Sequence, residues 1–283
     1  MNTNRNLILV VGGMGKTGRR VVQRLKERRM PVRVGSRSAA PAFDWQKPVT
    51  WDAVLQNVTS MYVTYYPDLA APGSAEKIRS FTDLAAKNGV RRIVLLSGRG
   101  EKQAQQCEDI VQNSGAQWTL VRSSWFCQNF SESFMLDPIQ AGEVALPAGS
   151  VAEPFIDAED IADVVVAALT EDGHAGRLYE VTGRRLLTFA QAVAQIAEAA
   201  GRPIRYIKIT VEEYAAALSK LGVPGPFVEL VTYLFSEVLD GRNAHLTDGV
   251  QQALGRAPRD FSEYVRTTAD TGIWRQNQEI VNS

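Results

Sequence analysis

The stretch that decides the fold is Leu7-Ile8-Leu9-Val10-Val11-Gly12-Gly13-Met14-Gly15-Lys16-Thr17-Gly18. Its first five residues are all apolar, as is typical of a central parallel strand that is covered on both faces. The glycines that follow have the spacing G-x-G-x-x-G from Gly13. One such glycine makes a tight turn, one lets backbone N–H groups approach a pyrophosphate, and one lets the next helix pack closely on the strand. The stretch therefore predicts a dinucleotide-binding turn in which the residues from Gly12 to Gly18 contact the cofactor.

The alternation of apolar strand and helix continues along the N-terminal half of the chain. Further strands are predicted over 32–35, 60–64, 91–96 and 117–121, and helices over 16–28, 51–58, 74–88 and 102–113. Strands that alternate with helices of this length need crossover connections, which produce a parallel sheet with helices on both faces. We predict an α/β, doubly wound Rossmann fold for residues 1–150.

In the second half of the chain, the regular alternation of strands and helices gives way to a mainly helical pattern. A helix is predicted over 159–170, a strand over 178–181, and then helices over 188–200, 211–221, 227–239 and 258–271. The helix 188–200 has Thr188 as its N-cap and is closed by Gly201. Residues 151–283 are therefore interpreted as a mixed segment. Its portion 154–182 completes the sheet, and the remainder forms a smaller, mainly helical cap that binds substrate.

The composition excludes several classes of protein. Hydrophobic residues make up 45% and charged residues 22% of the chain, and Lys+Arg and Asp+Glu both number 31, so no net field favours a nucleic-acid partner. The densest basic stretch, 19–29, is interpreted as the solvated face of a helix. Cys107 and Cys127 lack metal-ligand spacing and are interpreted as buried thiols. No apolar run is long enough for a membrane span and residues 1–6 do not resemble a signal peptide, so a cytoplasmic protein without a membrane partner is expected; a homo-oligomer is left open.

The end of the second strand indicates which dinucleotide binds. An Asp or Glu at this position accepts from the ribose 2′-OH of NAD, whereas an Arg pairs with the 2′-phosphate of NADP. The sequence here is Gly35-Ser36-Arg37-Ser38, and no carboxylate follows until Asp44. We therefore predict NADP(H), held by Arg37 and the Ser36 hydroxyl, with Lys16 as a second positive charge. The alternative is that Arg37 is a solvated loop residue.

The expected proton donor is missing. In short-chain dehydrogenases a Tyr and a Lys four positions later supply the proton, and the place for them here is after Ser97, which is itself assigned to the cofactor site. Residues 98–113 contain no tyrosine, so Lys102 has no partner. Three alternatives stay open: Tyr65 or Tyr66, at the end of the strand 60–64, donates a proton; the reaction needs none; or no reaction occurs.

Aromatic and amide side chains gather around the strand that begins at Gln117. Trp118 is grouped with the candidates for a substrate wall, which are Trp125, Phe126, Asn129 and Phe130. Aromatic residues after a strand are as often core as ligand contacts, so both interpretations are kept. Asp157 and Asp160 are interpreted as capping and helix-dipole carboxylates of the helix 159–170 rather than as catalysts.

Several motifs occur together, in order: the glycine turn, Ser36-Arg37, Trp118-Thr119-Leu120-Val121-Arg122, Trp125-Phe126-x-Gln128-Asn129-Phe130, Pro154-Phe155-Ile156-Asp157-x-x-Asp160-Ile161-Ala162, and Gly255-Arg256-x-Pro258. With them the chain resembles the NmrA-like branch of the atypical short-chain dehydrogenase/reductases over about residues 7–270. Within that branch, residues 34–38 and Phe43-Asp44-Trp45 look most like the agroclavine and festuclavine dehydrogenases, whose NADPH-dependent members reduce an iminium. Gly13-Met14 departs from the Ala-Thr of the family's glycine turn.

The resemblance implies two functions of different classes. The first is an NADPH-dependent reductase of a small, flat, electron-poor molecule of the iminium or quinone type. Hydride addition to C=N⁺ leaves a neutral amine and needs no proton donor, which agrees with the absence of a Tyr/Lys pair. The second is a non-catalytic regulator that senses NADP(H) and acts through a protein partner, as the family's namesake does. The reductase is favoured because the loops that would form a substrate cleft are intact.

Overall fold

The structure is a computed structural model that describes residues 6–275; the stretch 1–5, which the sequence analysis set apart from signal peptides, lies outside them. The described chain divides into two compact units, each discontinuous in sequence. The first contains the residues up to Ser123, then Ala158–Val181 and Asp248–Ala257. The second contains Ser124–Asp157, Thr182–Thr247 and the residues from Pro258. This division differs from the predicted boundary at residue 150, because the chain leaves the first unit after its fifth strand and later returns to it twice.

The first unit contains a six-stranded, wholly parallel sheet of order β2-β1-β3-β4-β5-β8. Its strands are β1 (Leu7–Val11), β2 (Val32–Gly35), β3 (Val58–Val63), β4 (Arg92–Gly98), β5 (Gln117–Ser123) and β8 (Arg177–Val181). The order reverses between β1 and β3, which lie side by side although β2 comes between them in sequence. Ligands of such sheets bind beyond the carboxyl ends of the strands at this reversal. The predicted α/β Rossmann fold is confirmed.

Helices flank this sheet and bury its apolar side chains. They are α1 (Lys16–Glu27), α2 (Trp51–Leu55), α3 (Ser74–Lys87), α4 (Lys102–Gln112), α6 (Ala158–Thr170) and α10 (Gly249–Leu254). The predicted helix 51–58 is too long: α2 ends at Leu55, because Asn57 adopts a left-handed backbone (φ 64°) and Val58 begins β3. A non-glycine residue in that conformation interrupts a helix.

The basic face of α1 is not solvated along its whole length, which corrects the interpretation of residues 19–29. Arg20 Nε donates to Glu159 Oε1 at 2.5 Å, and Arg24 Nε donates to Asp163 Oδ1 at 2.5 Å. The two arginine side chains are only 13% and 18% exposed. Burying a positive charge requires a partner, and here the acidic residues of α6 supply it. The basic stretch therefore fixes α1 to α6 within the first unit.

The second unit is mainly helical, as predicted. Its helices are α5 (Leu136–Ala141), α7 (Phe189–Ala200), α8 (Val211–Lys220), α9 (Gly225–Tyr233), which continues into a π-helical turn (Leu234–Val238), and α11 (Phe261–Asp270). Thr188 caps α7 by accepting from the Gln191 amide, and Gly201 ends it with φ 64°, so both predicted boundary signals are confirmed.

Two small sheets in the second unit were not predicted. β6 (Glu143–Leu146) pairs with β10 (Arg205–Lys208) in parallel, and β7 (Ala152–Glu153) pairs with β9 (Leu187–Thr188) in antiparallel. Strands of two to four residues give no usable periodicity in a sequence.

Within residues 6–275, no helix is long and apolar enough to cross a membrane. In the same range, no group of three or more His, Cys, Asp or Glu side chains is arranged to hold a metal ion. Cys107 and Cys127 are both buried and neither forms a disulfide, so the prediction of buried thiols is confirmed.

Candidate cofactor site and active site

The glycine turn connects β1 to α1 with very little space around it. Gly12 has φ 69°, and a β-carbon there would lie 2.1 Å from Thr64 Oγ1. A β-carbon on Gly18 would lie 2.1 Å from the carbonyl oxygen of Gly12. The amides of Gly12 and Gly13 both donate to the carbonyl of Gly35, at 2.9 and 3.3 Å. The turn therefore requires glycine at Gly12 for conformation and at Gly18 for the close approach of the helix.

The N-terminus of α1 suits a dinucleotide pyrophosphate. Its N-cap is Gly15, no side chain caps the first turn, and no acidic residue lies there. The first amides of a helix lack partners within the helix and carry the positive end of its dipole, so they attract an anion. Lys16 begins the helix and adds a positive charge, while Thr17 is buried and accepts from the Tyr62 hydroxyl at 2.9 Å. Residues 12–18 thus form one cradle, in which Thr17 has a packing role.

The loop after β2 presents Arg37 to solvent. The Arg37 side chain is exposed and forms no ion pair with a carboxylate in the described part of the chain. Ser36 Oγ lies 3.4 Å from Ser38 Oγ, and the Ser36 carbonyl accepts from the amide of Phe43 at 2.8 Å, which closes the loop. A guanidinium without an internal partner is available to a phosphate, and the hydroxyl of Ser36 is beside it in sequence.

An aromatic cluster anchors that loop to the end of β3. Trp45 Nε1 donates to the Thr64 carbonyl at 3.1 Å, and its ring centroid lies 4.9 Å from that of Tyr65. Tyr65 is half-buried, and burial, together with the nearby Cys107 and Glu76, raises the pKa of its phenol. Such a shift makes Tyr65 a weaker acid, which is the opposite of what a proton donor near neutral pH needs. Tyr66 is 69% exposed.

Ser97 lies near the end of β4, and α4 begins shortly after it. Ser97 is 4% exposed, and its hydroxyl oxygen has no hydrogen-bond partner among the described residues. Lys102, the first residue of α4, is exposed. The Cys107 thiol packs against Ser74 Oγ at 3.7 Å, and burial raises its pKa to about 11, so it keeps its proton at neutral pH. None of these groups replaces the Tyr/Lys pair as an acid.

A pair of carboxyl groups that the sequence analysis missed lies at this same edge of the sheet. Glu101 follows β4 and is 7% exposed. Its side chain hydrogen-bonds the carboxyl group of Asp68, which follows β3 and also accepts from the Ala70 amide at 2.8 Å. A β-carbon on Gly98 would lie 2.0 Å from Glu101 Oε1, so the absence of a side chain at Gly98 makes room for this carboxyl group.

Burial raises the pKa of both carboxyl groups, and the charge of Asp68 raises that of Glu101 further. For Glu101 burial is the larger cause and the charge of Asp68 the next, and the pKa rises well above the usual value; for Asp68 burial is the main cause. Glu108 of α4 adds negative charge, but it is itself bonded to Arg122, whose Nε donates to Glu108 Oε1 at 3.0 Å. Two carboxylates in contact cannot both ionise readily, so the pair retains one proton. No spacing rule links positions 68 and 101, so the sequence carried no signal for it.

The candidate substrate residues belong to the second unit. Trp125, Phe126 and Asn129 are half-buried, and the Trp125 ring lies 5.1 Å from that of Phe235. Phe130, in contrast, is 0% exposed, and its carbonyl accepts from Trp274 Nε1 at 2.8 Å. The structure therefore places Phe130 in the core, because a side chain without exposed surface has no free face for a ligand.

Trp118 does not belong with these residues. It is the second residue of β5, is paired with Ile93 of β4, and packs against the core of the first unit. Trp125 follows the other end of the same strand. The predicted aromatic group around the end of that strand therefore loses Trp118.

Asp157 and Asp160 have structural partners. Gln128 Nε2 donates to Asp157 Oδ1 at 2.7 Å within the second unit. Asp160, in the first turn of α6, is 0% exposed and pairs with Arg256 Nη1 at 2.7 Å within the first unit. The first-turn position of Asp160 agrees with the predicted helix-dipole role, and its pairing with Arg256 adds a second reason for its presence.

Comparison with known proteins identifies the family. The NAD(P)H-binding family model matches residues 12–172. The chain is 31% identical to NAD(P)H azoreductase from Xenophilus azovorans over 93% of this chain and 98% of that protein. It is 30% identical to agroclavine dehydrogenase from Claviceps fusiformis over 95% and 99% of the two chains. The fold is similar to that of the NADPH-dependent quinone oxidoreductase QOR2 from Escherichia coli complexed with NADPH, with a TM-score of 0.76 at 19% identity over 92% and 99% of the two chains.

These findings confirm the predicted resemblance and the predicted class of cofactor. More than half of the chain matches the family model, and the two relatives extend over nearly the whole chain. The matched region begins at Gly12 and includes the cradle at the N-terminus of α1, Arg37 and Ser97. The chain therefore belongs to the NAD(P)H-binding proteins of the NmrA-like, atypical short-chain dehydrogenase/reductase family, a family of NAD(P)H-dependent oxidoreductases.

Proposed function

We propose that the protein is an NADPH-dependent reductase of a small, flat, electron-poor molecule of the iminium, quinone or azo type, acting without a Tyr/Lys acid pair. The observation that carries the proposal is the cradle at Gly12 to Gly18 together with Arg37. The helix N-terminus has no acidic residue in its first turn, and Arg37 has no carboxylate partner among the described residues. Both groups are suited to the two phosphate-bearing parts of NADPH.

Acceptor chemistry narrows the substrate class. Bound NADPH supplies a hydride. A ketone that accepts hydride becomes an alkoxide and needs a positioned proton donor, whereas an iminium becomes a neutral amine. The phenol of Tyr65 and the thiol of Cys107 both have raised pKa values. These two groups are poor proton donors at neutral pH, so an iminium needs nothing from them, whereas a quinone or azo acceptor must take its proton from another group or from water.

The similar proteins support this class of acceptor. One relative is named as an azoreductase, another as a dehydrogenase of agroclavine, and one protein of the same fold as a quinone oxidoreductase. Azo and quinone groups are flat, conjugated and electron-poor. In this chain the half-buried Trp125 and Phe126 supply aromatic surface of the kind that stacks on such molecules, and we assign them, with Asn129, to substrate binding.

A panel of acceptors tests the proposal. NADPH oxidation is followed by absorbance with a naphthoquinone, an azo dye and a cyclic iminium, each with NADPH and with NADH. We expect oxidation above background with at least one acceptor class, and a lower KM for NADPH than for NADH. If no acceptor oxidises NADPH above background, the enzyme proposal is refuted. A cofactor-dependent association with another protein, with the NADP(H) recovered unchanged, would then support the regulatory alternative.

A further inference from the structure

Asp68 and Glu101 lie at the edge of the sheet where the glycine turn lies. β3 and β4 are parallel neighbours that end at Val63 and Gly98, and the pair follows those two ends. The glycine turn is beside the end of β3, because a β-carbon on Gly12 would lie only 2.1 Å from Thr64 Oγ1. The carboxyl pair therefore follows the same strand ends as the cofactor cradle, all within the first unit.

The Glu101 carboxyl group holds the proton of the carboxyl pair and has one oxygen without a partner among the described residues. A hydrogen bond between two carboxyl groups requires one proton, and Asp68 receives a further bond from the Ala70 amide, which favours its ionised form. The proton is thus best placed on Glu101. Oε2 of Glu101 is buried and receives no hydrogen bond from any described group. That oxygen is free to interact with a ligand.

A second buried polar atom at the same strand end also lacks a partner among residues 6–275. It is the hydroxyl oxygen of Ser97, near the end of β4. Most buried polar side-chain atoms are hydrogen-bonded, so two unpartnered ones within one short stretch of chain indicate a place for a polar ligand atom. Ser97 and Glu101 flank Gly98, whose missing side chain leaves room for the Glu101 carboxyl group.

We propose that Glu101 is a catalytic acid that protonates those acceptors that need a proton, and that Asp68 is a positioning residue that keeps the proton in the pair. The inference rests on the proposed function. In the step, a quinone or azo group takes two electrons and one hydrogen as hydride from NADPH, which becomes NADP⁺. The Glu101 carboxyl group turns its proton from Asp68 toward the resulting anionic oxygen or nitrogen, which takes it to give the hydroquinone or hydrazine. Glu101 is left as a carboxylate beside Asp68 and regains a proton from water.

This assignment separates two classes of acceptor. Quinones and azo groups need the proton, whereas an iminium does not. Loss of Glu101 should therefore slow the first class and spare the second. Catalysis by Glu101 should also fail at high pH, when its proton is lost. The charged groups that face Glu101 are Asp68 and Glu108, the latter bonded to Arg122.

The test compares Glu101→Gln and Asp68→Asn with a control on α4, the helix that follows Glu101: Asp109→Asn, whose side chain is exposed. Glutamine keeps the shape of Glu101 and can donate to Asp68, so the fold should persist, which thermal unfolding checks. We expect Glu101→Gln to lower kcat with a quinone or azo dye by about 100-fold or more and to abolish its alkaline fall. NADPH affinity and iminium reduction should be unchanged. In Asp68→Asn the alkaline fall should move to lower pH, because the neighbouring negative charge is gone.

Several outcomes would overturn the assignment. One is that Glu101→Gln reduces the quinone or azo dye as fast as the wild type, and another is that its kcat keeps the same alkaline fall. A third is that kcat for the iminium falls as much as kcat for the quinone, which would identify a purely structural role. A wild-type protein that reduces no acceptor refutes the proposed function instead. The retained proton is then checked without turnover, by infrared difference spectroscopy of wild type against Glu101→Gln at neutral pH. Absence of the carbonyl stretch of a protonated carboxyl group would overturn the inference.

Discussion

Gly18 packs so closely against Gly12 that a β-carbon on Gly18 would lie 2.1 Å from the Gly12 carbonyl oxygen. The carbonyl belongs to the backbone just after β1 and accepts from the Gly15 amide at 2.8 Å, which holds it in place. The spacing between these two glycines thus sets how close the first turn of α1 lies to the strand. That distance determines where the free helix amides are presented to the cofactor.

Gly18→Ala should therefore damage both the fold and the cofactor site. The added methyl group must push α1 away from β1, which we expect to lower the free energy of unfolding by about 1 to 3 kcal/mol and to weaken NADPH binding. Denaturant unfolding and a fluorescence titration measure the two effects. The control is Gly225→Ala at the start of α9, where a β-carbon meets nothing within 4 Å. Unaltered stability and affinity in Gly18→Ala would show that the turn adapts.

Arg37→Ala tests the choice of dinucleotide. Charge-assisted hydrogen bonds contribute about 1.5 to 3 kcal/mol, so NADPH affinity should fall by about tenfold or more with little change for NADH. The matched control is Arg91→Ala, an exposed arginine that precedes β4 at the opposite edge of the sheet. Calorimetric titration with both dinucleotides measures the change. An equal loss for NADPH and NADH would identify Arg37 as a structural residue.

The ion pairs between α1 and α6 should make stability depend on pH in the acid range. Burial alone would raise the pKa of Glu159, but the hydrogen bonds from Arg24 and Arg20 outweigh it and lower that pKa. A carboxyl group with a lowered folded-state pKa stabilises the protein above its unfolded pKa of about 4.3, and this contribution is lost as the pH falls through the folded value.

In Arg24→Ala the free energy of unfolding should be lower at pH 7 by about 1 to 2 kcal/mol and should change less with pH between about 5 and 3. Urea unfolding across this pH range measures both quantities. A variant that loses stability in parallel with the wild type as the medium is acidified would show that Glu159 does not titrate with the fold.

Arg256 connects the last segment of the first unit to α6. Its guanidinium contacts Asp160 at 2.7 Å and Asp163 at 2.5 Å, and Asp160 is 0% exposed. Arg256→Ala removes the positive charge that pairs with the buried Asp160, and we expect the free energy of unfolding to fall by about 2 kcal/mol. This is less than the roughly 3 to 5 kcal/mol lost when a fully buried pair is broken, because Arg256 is 38% exposed.

The control for Arg256 is Arg205→Ala. The Arg205 side chain is 75% exposed and that of its partner Glu143 is 44% exposed, so the change should stay within about 0.5 kcal/mol. Thermal and urea unfolding measure both variants. Equal decreases in the free energy of unfolding of the two variants would mean that the burial of Asp160 does not contribute to the destabilisation by Arg256→Ala.

Local signals in the sequence were sufficient for much of the fold and of the cofactor cradle. The apolar run of β1, the glycines and the basic helix are adjacent in sequence, so their geometry could be inferred without tertiary information. The cap at Thr188 was predictable for the same reason. Arg37 could be proposed as a site residue from the sequence because the topology of a Rossmann fold places the end of β2 beside the ribose.

What failed depends on contacts between distant residues. Arg24 and Asp163 are 139 positions apart, so a basic helix face looked solvated in the sequence. For Phe130 the sequence left two interpretations open, because an aromatic residue after a strand gives the same pattern whether it lines a cleft or a core. Asp68 and Glu101 lie on different loops, and only the parallel pairing of β3 with β4 brings these loops to the same edge.

Transfer of hydride from NADPH to an acceptor is the central claim, and its most direct test is a single-turnover measurement with NADPH deuterated at nicotinamide C4. Excess protein is mixed with the labelled or unlabelled cofactor and with the best acceptor of the panel, and oxidation is followed by absorbance. We expect a primary isotope effect on the rate, because the C–H bond breaks in the measured step. Persistence of the reduced cofactor with every acceptor would contradict the account.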